Sequence, residues 1–119
     1  MPTSVISIAT AEHYKWGGAQ NTDCDGWYLV GAESLSVIEE LMPAGTSESR
    51  HYHKAARQFF YVLEGELTIE VEHHLFPVRH GEGIEVHPGQ AHQAMNRSDR
   101  PLRMLVISQP PSHEDRVPA

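Results

Sequence analysis

The sequence predicts an all-β protein built as a double-sheet jelly roll, and three observations support that fold class. The 119 residues include nine glycines and eight prolines, which is typical of a chain with many tight turns. Segment 66–72, ELTIEVE, alternates strictly, with Leu67, Ile69 and Val71 on one face and polar side chains on the other. About eight to ten short apolar segments are joined by hairpin-length connections, and none shows a convincing helical period.

The chain begins with a predicted N-terminal arm, residues 1–26. A short strand is predicted at residues 5–8, where Val5, Ile6 and Ile8 are apolar. Residues 16–18 (WGG) and 23–26 (DCDG) have the composition of turns.

Residues 27–108 are predicted to form the barrel. Residues 109–119 contain three prolines, which cannot donate to a ladder, so we expect a tail that lies across the barrel or frays. The adjacent histidines His73 and His74 are expected to be solvent-exposed at a hairpin turn. The predicted strands are 27–30, 35–42, 51–53, 58–63, 66–72, 75–78, 84–87, 92–96 and 102–108.

The charge of the chain argues against a nucleic-acid partner. Sixteen acidic residues outnumber nine lysines and arginines, which gives a net charge of −7, and no basic stripe is present to neutralise phosphates. A chain of 119 residues is long enough for one hydrophobic core and therefore for one domain. We expect Trp16 and Trp27 to fill that core or a subunit interface, with stacking on a substrate as the alternative.

Cysteine usage and the N-terminus indicate a cytoplasmic protein. Cys24 is the single cysteine, so no internal disulfide can form, and Asp23 and Asp25 beside it would raise the pKa of its thiol. The N-terminal sequence has neither the basic start nor the long apolar stretch of a signal peptide. No apolar run approaches the roughly 20 residues that span a bilayer, so we expect no membrane association.

Two histidines, His51 and His53, have the spacing of a metal-binding pair. Side chains on a strand alternate between faces, so both imidazoles would project from the same face. A second predicted strand opens at Gln58, and the intervening segment 54–57 has the length of a hairpin connection. Folding this segment back brings Gln58 beside the two imidazoles, and His92 is a third candidate ligand.

These segments resemble the two sequence motifs of the cupin superfamily. In the first motif five residues separate a glycine from His-x-His, and six residues separate an acidic ligand from a second glycine. Gly45 and Gly65 have these spacings from His51 and Gln58 here. The second motif is a Gly, a Pro, a Gly, a His and an Asn, and His87 stands at its usual proline position. Its other positions are matched in spacing by Gly81, Gly89, His92 and Asn96.

The resemblance implies a double-stranded β-helix barrel and one divalent ion held by His51, His53, Gln58 and His92. Three imidazoles and one oxygen suit iron, manganese, nickel, cobalt or zinc, and an octahedral ion would keep two positions open for water or substrate. The alternative is a polar barrel without metal. The resemblance also implies that the N-terminal arm pairs with a partner's sheet, so we expect a homodimer.

Gln58 stands where the family usually has Glu, and this departure bears on the reaction. A neutral amide leaves the full charge on the ion, which favours polarising a carbonyl or hydroxyl over activating oxygen. We therefore expect an enzyme of isomerase or lyase type acting on a small oxygenated substrate such as a sugar or sugar acid. Gln58 resembles the ligand of small cupins that open or isomerise unsaturated uronate rings. Those enzymes also carry an acidic residue near the end of the last strand, and the corresponding position here is Val106 or Ile107, both of which are apolar. The alternatives are a dioxygenase and a non-catalytic module that binds a small molecule or metal.

Proton transfer needs a polar group near the metal. Because His87 displaces a proline just before the turn that leads to His92, we predict it as the general base, with an exposed rim position as the alternative. Phe60 and Val62 share the face of Gln58, so we expect an apolar wall beside the metal. The other polar candidates are Glu85, Tyr61, Arg57 and Arg103.

Overall fold

The computed structural model describes residues 2–18 and 23–119, which form strands and no helix, as the sequence predicts. None of these residues belongs to a helix long and apolar enough to cross a membrane. The strands in chain order are β1 (Glu12–Trp16), β2 (Cys24–Gly31), β3 (Ser36–Met42), β4 (His51–His53), β5 (Arg57–Glu64), β6 (Glu66–Val71), β7 (His74–Arg79), β8 (Gly83–Val86), β9 (His92–Met95), β10 (Leu102–Gln109) and β11 (Arg116–Pro118).

The strands form two antiparallel sheets that face each other across one core. One sheet has six strands in the order β1-β2-β3-β10-β5-β8, and the other has five in the order β11-β4-β9-β6-β7. The inward residues of β6 are buried, as the alternation predicts, and they pack against inward residues of the six-stranded sheet. The residues of this core include Met42, Val62, Leu67, Ile69, Leu102 and Met104. The predicted jelly roll is confirmed.

The N-terminal arm departs from the prediction. Residues 5–8 form no strand, and the side chain of Val5 is 98% exposed. The predicted turn at 23–26 instead begins β2, whose Gly26 pairs with Tyr14 of β1. A Cβ atom at Gly26 would collide with the Tyr14 ring, so this glycine serves a close approach within a sheet. Residues 1 and 19–22 of the arm lie outside the described residues.

The C-terminal segment adds a strand, contrary to the expectation that it cannot enter a ladder. It forms an edge strand of the five-stranded sheet, where β11 pairs antiparallel with β4 and Arg116 lies opposite His53. Arg116 and Val117 keep their N–H groups, and Pro118 occupies the last position of the strand. The sheet is therefore extended beside two of the predicted metal ligands.

Two local predictions are confirmed. The β6–β7 hairpin turns at Glu72 and His73, both at positive φ, and His74 begins β7 as an exposed residue. Cys24 is buried, and burial raises the pKa of its thiol, with smaller contributions from the charges of Glu40, Asp23 and Asp25. Such a thiol is poorly suited to nucleophilic chemistry.

Candidate metal centre

The structure brings the three predicted histidines together. His51 and His53 both face inward from β4, and His92 of β9 lies directly opposite His51 in the ladder. The ring centroid of His51 lies 4.8 Å from that of His53 and 4.5 Å from that of His92. One ligand nitrogen from each residue lies within 4.8 Å of the others, and all three side chains are buried. A set of three converging imidazoles is able to hold a metal ion.

The hydrogen bonds of these imidazoles leave one nitrogen of each available. The Nδ1 atoms of His51 and His92 lie 2.8 Å and 2.9 Å from the carbonyls of Ser49 and Gln90. The Nδ1 of His53 lies 3.3 Å from the carbonyl of Asp115. A ring that donates Nδ1–H to a carbonyl presents the lone pair of Nε2, which is the usual arrangement of metal-binding histidine.

The inward nitrogens match that arrangement. The buried Nε2 atoms of His53 and His92 have no hydrogen-bond partner within residues 2–18 and 23–119. Burial lowers the pKa of all three imidazoles, that of His51 to about 3, so they are neutral at pH 7. Buried, neutral and unpartnered donors of this kind fit a borderline divalent ion.

Gln58 supplies an oxygen to the same region. Its buried side chain is held through Nε2, which donates to Ser108 Oγ at 3.1 Å and to Ser112 Oγ at 3.4 Å. Its Oε1 has no partner in the described part of the chain. Gln58 lines the same cavity as His51 and His53, so its oxygen is free to act as a fourth donor. Its role as a ligand stays a prediction.

His51 and His53 open onto a cavity of about 400 Å³, which is within the range of small-molecule sites. Phe60 lines the cavity, as expected, and so does Val106, whereas Val62 is buried in the core. The lining also includes an aromatic cluster in which the Tyr28 ring lies 5.0 Å from Tyr14 and 5.5 Å from His113. The cavity therefore combines aromatic and aliphatic surfaces with many polar and charged side chains.

Two glutamates in this cavity were missed by the sequence reasoning. Burial, and then the nearby charge of Glu48, raise the pKa of Glu40 to about 8. Burial raises the pKa of Glu48 to about 7. A signal for Glu40 was present, because it is the charged residue on the face of β3 that buries Ser36 and Ile38.

The two carboxyls differ in how fully they are engaged. Glu48 accepts a hydrogen bond from the Ala94 N–H at 2.8 Å and lies 3.9 Å from His51 Nδ1. Glu40 accepts one long hydrogen bond, 3.5 Å, from the hydroxyl of Tyr14. Burial also raises the pKa of Tyr14, which keeps that hydroxyl protonated as a donor. Glu40 is therefore the less firmly engaged of these two carboxyls.

The structure does not bring His87 to this cavity. Val86 faces the core, so alternation turns His87 outward, where its side chain is 61% exposed and lies 3.9 Å from Glu85. Its role as general base stays a prediction, without support from its position. The other polar candidates also lie off the cavity lining: Arg57 pairs with Glu85, Arg103 pairs with Glu39, and Tyr61 is on the outer face of β5.

Comparison with known proteins extends these observations. Residues 37–108, more than half of the chain, match the family model described as a cupin domain. The chain is 32% identical over 81 residues to "Polyketide synthase CurC" of Streptomyces cyaneus, a match that covers 68% of this chain and 53% of that protein. The chain therefore spans about half the length of this curated relative.

Solved structures show the same fold. The polyketide cyclase RemF from Streptomyces resistomycificus superposes with a TM-score of 0.82 over 99% of this chain and 86% of that one, at 18% identity. A sugar phosphate isomerase of the cupin superfamily from Silicibacter pomeroyi superposes with a TM-score of 0.77 over 89% of this chain and 75% of that one, at 24% identity. At such identities the likeness concerns the fold alone.

Proposed function

The chain belongs to the cupin family, and from that membership we propose that it is a metal-dependent enzyme acting on a small oxygenated substrate. The observation that carries the proposal is the set of three neutral imidazoles with converging nitrogens, two of which, those of His51 and His53, line a cavity. His51, His53 and His92, with the oxygen of Gln58, would hold one divalent ion. Such an ion acts as a Lewis acid that polarises a carbonyl or hydroxyl oxygen.

Glu40 supplies the proton transfer in this proposal. It lines the same cavity as the imidazoles, it has one long hydrogen bond, and its raised pKa lies near neutral pH, where a general base is effective. Its carboxylate takes a proton from a carbon next to a carbonyl, while the C–H electron pair moves into the carbon–carbon bond and the carbonyl π electrons move onto oxygen. Return of the proton to the former carbonyl carbon, with transfer of the hydroxyl proton of the adjacent carbon to the former carbonyl oxygen, converts an α-hydroxy carbonyl into its isomer, and no oxidant is required.

A sugar or sugar acid is the substrate class that we propose first. Arg116 lines the cavity and donates to the Ser49 carbonyl at 3.0 Å, and within the described ranges it has no ion pair with a carboxylate. A guanidinium in this position suits a substrate carboxylate or phosphate. The structural likeness to a sugar phosphate isomerase is consistent with this choice.

A polyketide-type substrate is the second candidate. The cavity presents Trp16 and Phe60 besides the cluster of Tyr14, Tyr28 and His113, and these surfaces fit a flat ring bearing several oxygens. The relative named as a polyketide synthase and the neighbour named as a polyketide cyclase support the same substrate class.

The proposal is tested by proton exchange. Protein loaded with zinc, nickel or manganese is incubated in deuterium oxide with hexuronates and with polyhydroxylated aromatic ketones, and deuterium incorporation is followed by proton NMR. We expect exchange that His53→Ala abolishes by removing the metal. Glu40→Gln should slow it by about a hundredfold or more.

Glu39→Gln is the matched control, because Glu39 is the neighbouring acid on the outer face of β3, paired with Arg103. It should leave the exchange rate unchanged. Oxygen consumption by the Fe(II)-loaded protein would favour the dioxygenase alternative. Binding of these compounds without exchange in any metal form would favour the non-catalytic one.

A further inference from the structure

The three metal-binding imidazoles are not supported in the same way. His51 and His92 each bond through Nδ1 to the carbonyl of the residue two positions earlier, Ser49 and Gln90. The acceptor for His53 is the carbonyl of Asp115, which is 62 positions away in the chain. The orientation of the His53 ring therefore depends on the C-terminal segment.

A clamp holds Asp115 in that position. Its carboxylate accepts hydrogen bonds from three consecutive backbone N–H groups, those of Lys54 at 3.1 Å, Ala55 at 2.8 Å and Ala56 at 2.9 Å. These bonds, led by that from Ala55, lower the pKa of the carboxyl, so it is ionised at neutral pH. Charge-assisted bonds of this kind are among the stronger ones in proteins.

The same segment also makes hydrogen bonds that help to hold His51 and Gln58. Arg116 donates at 3.0 Å to the Ser49 carbonyl, which also accepts from His51. The hydroxyl of Ser112 accepts a hydrogen bond from Gln58 Nε2 at 3.4 Å. Three of the four proposed donors are thus oriented through residues 112–116.

We propose that Ser112, Asp115 and Arg116 are positioning residues of the metal centre, so that docking of the C-terminal segment and binding of the ion are coupled. The inference rests on the metal centre of the proposed function but is independent of its reaction. Coupling is reciprocal: if the docked segment tightens metal binding, the bound metal must hold the segment in place by the same factor. A strand that merely covered the barrel would affect stability without changing metal affinity.

Metal affinity gives the first test. Zinc affinity is measured by competition with a chelator for the wild-type chain, Asp115→Asn and Asp115→Ala. We expect about a tenfold loss for Asn and up to about a hundredfold loss for Ala, the range typical of outer-shell changes. The matched control is Glu114→Gln, because Glu114 is an exposed neighbour of Asp115 whose carboxylate makes no hydrogen bond or ion pair among the described residues. Urea unfolding of each metal-free variant separates lost affinity from lost folding.

Hydrogen exchange gives the reciprocal test. Added zinc should slow exchange at the amides of residues 54–56, 116, 117 and 119 in the wild-type chain, whereas the β6–β7 hairpin serves as an internal reference. Either unchanged hydrogen exchange in the segment or a zinc affinity of Asp115→Ala within twofold of wild type would overturn this inference and leave the proposed function untouched. A wild-type chain that binds no zinc, nickel or manganese would overturn both this inference and the proposed function.

Discussion

Gln58 is the residue whose chemistry separates the two kinds of reaction considered for this site. Its amide is held by Ser108 and Ser112 through Nε2, and its Oε1 has no partner among the described residues. Serine hydroxyls can donate as well as accept, so a carboxylate at this position would keep both contacts. Exchange of the amide for a carboxylate therefore changes charge while preserving shape.

We predict that Gln58→Glu binds the divalent ion more tightly, because a charged oxygen adds attraction in a partly buried site. The same change should slow the native reaction and ease oxidation of an iron-loaded centre, because it lowers the charge on the ion. Affinity is measured by chelator competition and the iron couple by potentiometric titration. Gln109→Glu, at an exposed position of β10, controls for the change in net charge. Equal or weaker metal binding in Gln58→Glu would show that Gln58 is not a ligand.

At the scale of elements, one ion pair links Arg50, the residue before β4, to Glu70 of β6. Arg50 Nε lies 2.6 Å from Glu70 Oε1, its Nη2 lies 3.2 Å from Oε2, and Oε2 also accepts from the His73 N–H at 2.8 Å. Since Arg50 directly precedes His51, this bidentate pair fixes the start of the strand that carries two of the imidazoles. Arg50 is the main cause of a lowered pKa at Glu70.

We predict that Glu70→Gln lowers the free energy of unfolding by about 1 kcal/mol at pH 7. A folded-state pKa below the unfolded value means that this contribution is present above the ordinary pKa of 4.5. It is lost as pH falls through the folded-state pKa. The difference between wild type and variant should therefore shrink as pH is lowered below about 4.5 in urea titrations.

Glu66→Gln on the same strand is the control for this prediction, because its pair with Arg79 is longer, at 3.4 Å, and more exposed. We expect an effect within about 0.5 kcal/mol for that exposed pair. An equal loss in both variants would show that the Arg50–Glu70 pair has no special role.

For the whole molecule, apolar surface is left uncovered in the single chain. Ile6 and Ile8 are exposed beside Val5 in the segment before β1, and Leu75 and Phe76 are exposed on β7. Strand β7 is also an edge of the five-stranded sheet, with backbone groups free to pair. Exposed apolar side chains next to open sheet edges are typical of association between copies.

We predict a homodimer, because the N-terminal segment and the sheet edges need cover. Light scattering at micromolar concentration should give twice the mass of the chain. Removal of residues 2–9 should weaken the dimer if that segment crosses to the partner, whereas removal of the exposed Ala119 should not. A monomeric mass for the intact chain would contradict the prediction.

Most of the fold was predictable because its signals are local. The two-residue period of β6 indicates which side chains face the core, and the same period places His51 and His53 on one face. Gly65 lies at a φ of 88°, where a side chain would be strained and a Cβ would collide with the Pro101 carbonyl, so its place in the motif reflects backbone geometry. Such constraints act over a few residues and can be deduced from spacing.

The sequence by itself determined the class of fold, the converging histidines and the neutral amide at position 58. Only the tertiary structure decided which further groups share their cavity, since Glu40 reaches it from β3, Arg116 from β11 and Tyr14 from β1. It also left His87 exposed outside the cavity and placed the Asp115 carbonyl within hydrogen-bond distance of His53 Nδ1. The physical reason is that alternation orients a side chain within its own strand, whereas the neighbours it meets depend on how distant strands pair across the sheets.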